Sequence, residues 1–503
     1  MNASNDPAAT ASLKPGRLRA RFDLKRLVFM SIGLGLFAIV YFSPDWAPAV
    51  DPDGKEFVLS HEGKAALALF LLAATWWVFE VVPIGITAIT IGVVQAHFLI
   101  RDPKIAFTNF MDPSVWFIFG SLVIGMVFTK TGLTRRLAYK MLAIVGERTS
   151  MIYLGCFVVT AAFTLIMAHT AAAATLFPLL MAIYTLYDAE GKKSKFGKGL
   201  FMGMAYVAGA GSIITLLGAA RGAVALGFYR EITNIEIGFF ELTYYMAPIG
   251  IVMVFLLWAF FMVVYKPERA RIEGLRERAN ELYAKLGGIS GKEIAALAIV
   301  FGVIGVLSLK ALMPQVALLA GLHKSAVLLT AVILFFLTKI LSVKDLEQIP
   351  WNIILLFGGA MSIGFCLWET GAANWLAINW LLMFKSAPGI VFIMGIAFFV
   401  MIMTNFIMNV AAIAISLPVA LVIAPYLGVT GQVVLFASLV TAGMPFLCLV
   451  GAAPNAIAYE SKQFTSGEFF LVGIPASALL MVVLGVFVWL IWPLMGMPVA
   501  VPV

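Results

Sequence analysis

Apolar runs of roughly twenty residues, the length a helix needs to cross a hydrocarbon core, recur along this chain. They lie near 27–43, 64–82, 84–100, 114–130, 243–265, 293–311, 325–342, 350–368 and 471–493. Such runs leave a chain little choice of solvent. Charged residues make up only 12% of the 503, and hydrophobic ones 62%, whereas a soluble domain keeps about a quarter of its residues charged. An all-α polytopic membrane protein follows, embedded in lipid. The net charge of +8 sits mostly in short loops, so it reports topology rather than a nucleic-acid partner. Cys156, Cys366 and Cys448 stand far apart in apolar segments and read as packing residues.

Four regions are longer or interrupted: 151–187, 198–228, 388–426 and 431–460. The tail before residue 27, the 130–148 loop, "KKSKFGK" at 192–198 and the 266–285 segment are rich in Lys and Arg, while the 44–62 loop is acid-rich. The positive-inside rule then places the N-terminus and those basic loops in the cytoplasm. Both ends of 151–187 adjoin basic loops, so this segment enters and leaves on one side. It reads as a re-entrant hairpin, "TLIMAHTAAAATLFPLL" (164–180), with "AHT" at its tip. The 388–426 region reads as a second hairpin from the opposite face, "TNFIMNVAAIAISLPVA" (404–420), with "MNV" at its tip.

Three matches recur in the same order in both halves. "FGSLVIGMVFTKTG" (119–132) echoes "FGGAMSIGFCLWETG" (357–371), the hairpins follow, and "GSIITLLGAARGAVA" (211–225) echoes "MPFLCLVGAAPNAIA" (444–458). With about five crossings per half, an odd number, the second copy must be inverted, which is the sequence pattern of a secondary transporter. The expected organisation is a cytoplasmic tail (1–26), a first crossing with its external loop (27–60) and a first repeat (61–265). A solvated cytoplasmic linker helix (266–292) then leads to a second repeat (293–495). About eleven transmembrane helices and two re-entrant hairpins result.

Irregular backbone is tolerated at membrane depth only where protein or water satisfies its polar groups. The tips and the Gly-Ala-Ala breaks therefore turn amides and carbonyls toward a cavity, helix N-termini favouring an anion and unwound carbonyls a cation. Two ionisable residues stand in these breaks. His169 is either a packing histidine or part of the site, and its place at a tip, matched by Asn409, favours the site. Arg221 either snorkels to an interface or clamps a carboxylate through its planar fork. Glu80, in "WWVFEVVP", reads as structural.

At these residues the chain resembles the divalent anion/sodium symporters, the dicarboxylate and citrate carriers, from about residue 60 onward. In that family the tips typically read Ser-Asn-Thr and the broken helices carry Gly/Ala-Ser/Thr-Pro-Pro-Asn. The resemblance implies that the tips clamp substrate carboxylates and, with the broken helices, hold sodium. Carried over, the tips are Ala168-His169-Thr170 and Met408-Asn409-Val410, and the breaks are Gly218-Ala219-Ala220-Arg221-Gly222 and Gly451-Ala452-Ala453-Pro454-Asn455. The resemblance makes His169, Thr170, Gly218, Ala219, Ala220, Arg221, Asn409, Val410, Ala452, Ala453, Pro454 and Asn455 the expected substrate-binding residues. One sodium ion is placed at Thr404, Asn409 and Gly451, with a weaker position at Thr164, Ala168 and Gly218; no other cofactor is expected. The first tip keeps only Thr170 of its motif and the second only Asn409, and the first break gains an arginine in place of prolines and asparagine.

The expected function is a secondary transporter of small di- or trivalent organic anions in the inner membrane. Its sodium coupling is weakened, or replaced by exchange or protons, with Arg221 and protonated His169 supplying the positive charge. Elevator movement and a homodimer are implied by the resemblance. The alternatives are a sulfonate, sulfate or other oxyanion carrier, or an ion/proton antiporter. No metal-spaced His/Glu cluster or nucleophile–base pair points to an enzyme.

Overall fold

A computed structural model describes residues 24–50, 55–188, 192–313, 315–384 and 388–500. The basic tail through residue 23, with Asp51 and Asp53, lies outside the described residues. The described chain is helical apart from a short antiparallel pairing of β1 (Ala49–Val50) with β2 (Glu56–Phe57). Lipid offers peptide groups no partners, so a spanning segment must satisfy them internally. Among the described residues, eight helices are long and apolar enough to cross a membrane.

The helices are, in order, α1 (Leu24–Tyr41), α2 (His61–Val78), α3 (Ile84–His97), α4 (Pro103–Thr108), α5 (Pro113–Thr131) and α6 (Leu133–Val145). The range 151–187 is two helices, α7 (Thr149–Thr164) and α8 (His169–Tyr187), joined by a turn. Next come α9 (Lys195–Ser212), an unwound stretch, α10 (Ala220–Thr233) and the long α11 (Phe239–Val264). After α12 (Leu275–Lys285) come α13 (Gly291–Leu312), α14 (Ala317–Ala320), α15 (Lys324–Leu337), α16 (Val343–Glu347), α17 (Trp351–Glu369) and α18 (Ala372–Phe384). The range 388–426 is α19 (Gly389–Phe406) and α20 (Asn409–Tyr426). Beyond it lie α21 (Gly431–Ala442), a second unwound stretch, α22 (Ala453–Tyr459), α23 (Ser466–Val486) and the short α24 (Trp492–Leu494).

Helix boundaries follow local chemistry. Capping boxes start α13 at Ser290/Glu293 and α23 at Thr465/Glu468, satisfying amide groups that the helix cannot. Gly132, at φ 87°, ends α5 in the left-handed conformation. The 266–285 segment contains α12, largely exposed apart from Leu275 and Ala279. Arg136 of α6 reaches beyond α12 to Glu293 at 2.8 Å and to the Gly287 and Gly288 carbonyls. The Glu268 carboxylate accepts from Phe196 N–H and the Tyr187 hydroxyl, so the linker also grips the ends of α8 and α9.

One face of the molecule is built on α3 laid against α17. Gly85 N–H donates to Asn352 Oδ1 at 2.8 Å, and Gly359 sits so close to Ala88 that a Cβ there would lie 2.5 Å from the alanine methyl. Small residues permit such an approach between membrane helices. Gly359→Val is expected to force these helices apart and lower stability by about 1–3 kcal/mol, measured as a fall in thermal midpoint of the purified protein. Gly302→Val on α13, where a Cβ meets nothing within 4 Å, should leave the midpoint unchanged.

Candidate substrate site

The two turns and the two unwound stretches border one cavity of about 630 Å³. Its walls also include one flank of α5 from Leu122 to Lys130, and the run from Asp345 to Phe357 that ends α16 and opens α17. Helices α8, α10, α20 and α22 all begin on it, with Ala168, Ala219, Met408 and Ala452 as N-caps. None of these caps has a side chain bonded to the orphan amides. Unpaired N–H groups and the positive ends of helix dipoles therefore converge on one space, which is a setting for an anion.

Each turn is sewn to the stretch beside it. At the first, His169 N–H donates to the Gly218 carbonyl at 3.1 Å and the Thr215 hydroxyl to that of Leu165 at 2.7 Å. From α5, the Ser121 hydroxyl donates to the Leu217 carbonyl at 3.0 Å. At the second, Asn405 Oδ1 accepts from the Leu447 and Cys448 amides at 2.8 and 3.1 Å. The Thr404 hydroxyl donates to the Ala442 carbonyl at 3.1 Å. Asn455 Nδ2 closes the second unwound stretch on itself, reaching Pro445 O and Cys448 O. Gly218 lies against the Thr164 carbonyl and Gly451 against that of Thr404, so the two junctions share one design.

Three of the residues that line the cavity carry a buried side-chain polar atom with no partner among the described residues: Arg221 Nη1, His169 Nδ1 and Asn409 Nδ2. Arg221 is 2% exposed. Its Nη2 donates to Ser212 Oγ at 2.8 Å, and its guanidinium lies against Gly443 of the second stretch. Among the described residues no carboxylate pairs with it. A buried guanidinium with a free donor is a strong recruiter of an anion, because its desolvation is otherwise uncompensated.

Of the residues expected from sequence, Ala168, His169, Thr170, Ala219, Ala220, Arg221, Asn409, Val410, Gly451, Ala452 and Ala453 line this cavity. Thr164, Gly218, Thr404, Pro454 and Asn455 are not among its walls; Gly218, Thr404 and Asn455 brace it from behind through the bonds above. Glu80 lies elsewhere, in the turn between α2 and α3 at φ 45°. Sequence reasoning passed over Ser121, Ser212, Thr215 and Asn405, which hold the turns, and Lys130, Asp345 and Gln348, which line the mouth. Polar residues inside apolar repeats were the signal available for the first four.

The Thr164 hydroxyl donates to Ala161 O at 2.7 Å and that of Thr404 to Ala442 O, so both oxygens keep their lone pairs, while Asn405 Oδ1 takes two amides. The Thr164 carbonyl lies beside Gly218 and that of Thr404 beside Gly451, with the Arg221 guanidinium between the two stretches, on Ser212 and against Gly443.

The family model for the sodium:sulfate symporter transmembrane region matches residues 51–498. The chain is 23% identical to the sodium-dependent dicarboxylate transporter SdcS of Staphylococcus saprophyticus, over 96% of this chain and 94% of that one. It is 26% identical to a transporter of Haemophilus influenzae, over 86% and 94%. Among solved structures, the YdaH transporter of Alcanivorax borkumensis shares the fold at a TM-score of 0.57 and 13% identity, over 94% of this chain and 98% of that one. MtrF of Neisseria gonorrhoeae does so at 0.54 and 12%, over 92% and 93%.

A Cβ on Gly218 would lie 2.4 Å from the Thr164 carbonyl and 2.7 Å from that of Ser212, both backbone atoms. Gly218→Ala should therefore pry the first turn from its stretch and abolish ligand binding in protein that still purifies. Gly222→Ala, whose Cβ meets only the end of the Leu216 side chain at 3.0 Å, should bind as wild type. Equilibrium binding on both purified variants checks this.

Proposed function

Because this chain belongs to the sodium:sulfate symporter family, the divalent anion:sodium symporters, we propose that it is a secondary active transporter of small di- or trivalent organic anions. Dicarboxylates and citrate-like molecules are the substrate class. The observation that carries this reading is that three residues lining one cavity, Arg221, His169 and Asn409, each hold a buried polar atom without a partner among the described residues, at a space where helix N-termini converge. The guanidinium takes a carboxylate through charged hydrogen bonds. Asn409 and His169 orient it, and the helix ends carry the remaining negative charge.

Coupling departs from a sodium symport of several ions. Arg221 bonds Ser212 beside the first stretch and lies against Gly443 of the second, so it brings a permanent positive charge between the two junctions. That charge takes the place of a bound cation there, leaving at most one sodium at Thr404, Asn409 and Gly451, with exchange or protons as the other drives. The two halves act as an inverted repeat, and each turn moves with the stretch it is bonded to, an elevator-type motion past α5 and α17. The protein works as a homodimer in the cell membrane, with its N-terminus in the cytoplasm.

A second reading, a sulfate or sulfonate carrier, is favoured by the asymmetry of the tips. Met408 and Val410 flank Asn409 with apolar side chains, whereas the charged group stands on the first side. A compact oxyanion needs only that side. Proteoliposome uptake and counterflow against dicarboxylates, citrate, sulfate and sulfonates tests both readings. Organic dianions are expected to be carried at a rate little changed when choline replaces sodium; transport that rises steeply with sodium would overturn the coupling scheme.

Arg221→Ala should weaken anion binding by about tenfold or more, since a charged hydrogen bond is worth roughly 1.5–3 kcal/mol. Arg221→Lys, which keeps the charge but loses the fork, should recover part of that. Ser212→Ala removes only the tie behind the guanidinium and should cost less than either. Binding to purified protein, with folded yield as control, measures all three; unchanged affinity in Arg221→Ala removes Arg221 from the site.

A further inference from the structure

Two of the ion pairs that join the first half of the chain to the second lie at opposite ends of α5 and α17. At the end of α5, Lys130 Nζ holds Asp345 Oδ2 of α16 at 2.6 Å. At the end of α17, Glu369 Oε2 holds Arg101 Nη2 at 2.6 Å, while Arg101 Nη1 binds Asn109 Oδ1 just before α5. Thus α5 and α17 run antiparallel, with a bridge at both ends of helices about 28 Å long. The endings "KTG" of α5 and "ETG" of α17 put Lys130 and Glu369 at matching positions, with the charges exchanged between the halves.

Lys130 and Asp345 line the cavity that Arg221 borders. Gly125 of α5 touches Met167 of the first turn, and Lys130 lies five residues further along, about 7.5 Å at the helical rise. Its side chain is 42% exposed, against 10% for Asp345. Asp345 does not depend on the lysine alone, because Ser342 N–H and Oγ both donate to the same carboxylate oxygen at 2.6 Å. Burial pulls the Asp345 carboxyl up, but Lys130 and Ser342 outweigh it and hold it down at about 2. An anion can therefore take the ammonium, which has three donors, without leaving Asp345 bare.

We propose that Lys130 binds the substrate anion at the edge of the cavity it lines, exchanging Asp345 for it as the anion passes. This rests on the anion-carrier reading above and adds a staging position on one face. Its chemistry is that of any carboxylate or oxyanion. The competing account is that the Lys130–Asp345 bridge is only a staple between the halves, as the bridge of the buried Arg101 to Glu369 is.

Proteoliposomes of uniform orientation separate the two accounts by reading KM from each face, with succinate as the probe where it is carried and otherwise the anion identified in the panel. Lys130→Gln should raise KM about threefold or more at the Lys130 face, the size of a partly exposed ion pair. In substrate-for-substrate exchange, KM at the other face should change less. Lys130→Arg should restore the wild-type value. Asp345→Asn, which frees the ammonium, should lower KM at the Lys130 face. Equal loss of turnover from both faces, or KM values indifferent to Lys130 in low salt, would overturn the proposal. A wild-type protein that moves no anion would instead remove the carrier reading itself.

Discussion

Peptide groups exposed by unwinding a helix inside a bilayer have no water to turn to, and the rest of this structure depends on how they are satisfied. Four breaks in helical backbone occur at depth, two as turns and two as unwound stretches. Each turn supplies partners for the stretch beside it: His169 N–H for Gly218 O and Thr215 for Leu165 O on one side, Asn405 for the Leu447 and Cys448 amides on the other. Breaks that would each be costly alone become mutually satisfied in pairs. Four helices still begin at the cavity, none with a side-chain cap.

Charge follows from the same geometry. Arg221 lies one residue into α10, so its helix start delivers it to the junction of both stretches, against Gly443 and Ser212. A guanidinium cannot shed its proton in a protein, and burying one without a carboxylate requires a counter-charge from elsewhere. In the proposed reading, the transported anion meets that requirement. The two junctions are then built alike in backbone but differ in electrostatics. The Arg221 cation stands between them, rising from the first half, while the tip of the first carries His169 and that of the second Asn409.

Much of this architecture could be read before any coordinates. The apolar runs and the basic loops define a polytopic chain, and the interruptions at 151–187, 198–228, 388–426 and 431–460 each coincide with a turn or an unwound stretch. His169, Arg221 and Asn409 stood out because a polar side chain in an apolar run needs a reason. What periodicity could not convey was direction. Thr164 and Thr404, one turn before each tip, bond to carbonyls behind the site rather than in it, and Asn455 folds back on its own loop. Lys130 read only as part of a basic loop, and its partner Asp345 had no local signal, because their pairing depends on how the ends of α5 and α17 meet.

The sequence by itself determined the solvent, the places where helices must stop, and the scarcity of charge at depth, because each follows from local composition against a bilayer. Only the tertiary structure decided which of those stops meet, and which polar atoms remain without a partner where they meet. Convergence is a long-range property: Gly218 closes on Thr164, Arg221 on Gly443, and Lys130 on Asp345, across separations that no local pattern records. A side chain's role as brace or as wall depends on whether a partner lies within hydrogen-bond reach, and the fold alone sets that distance.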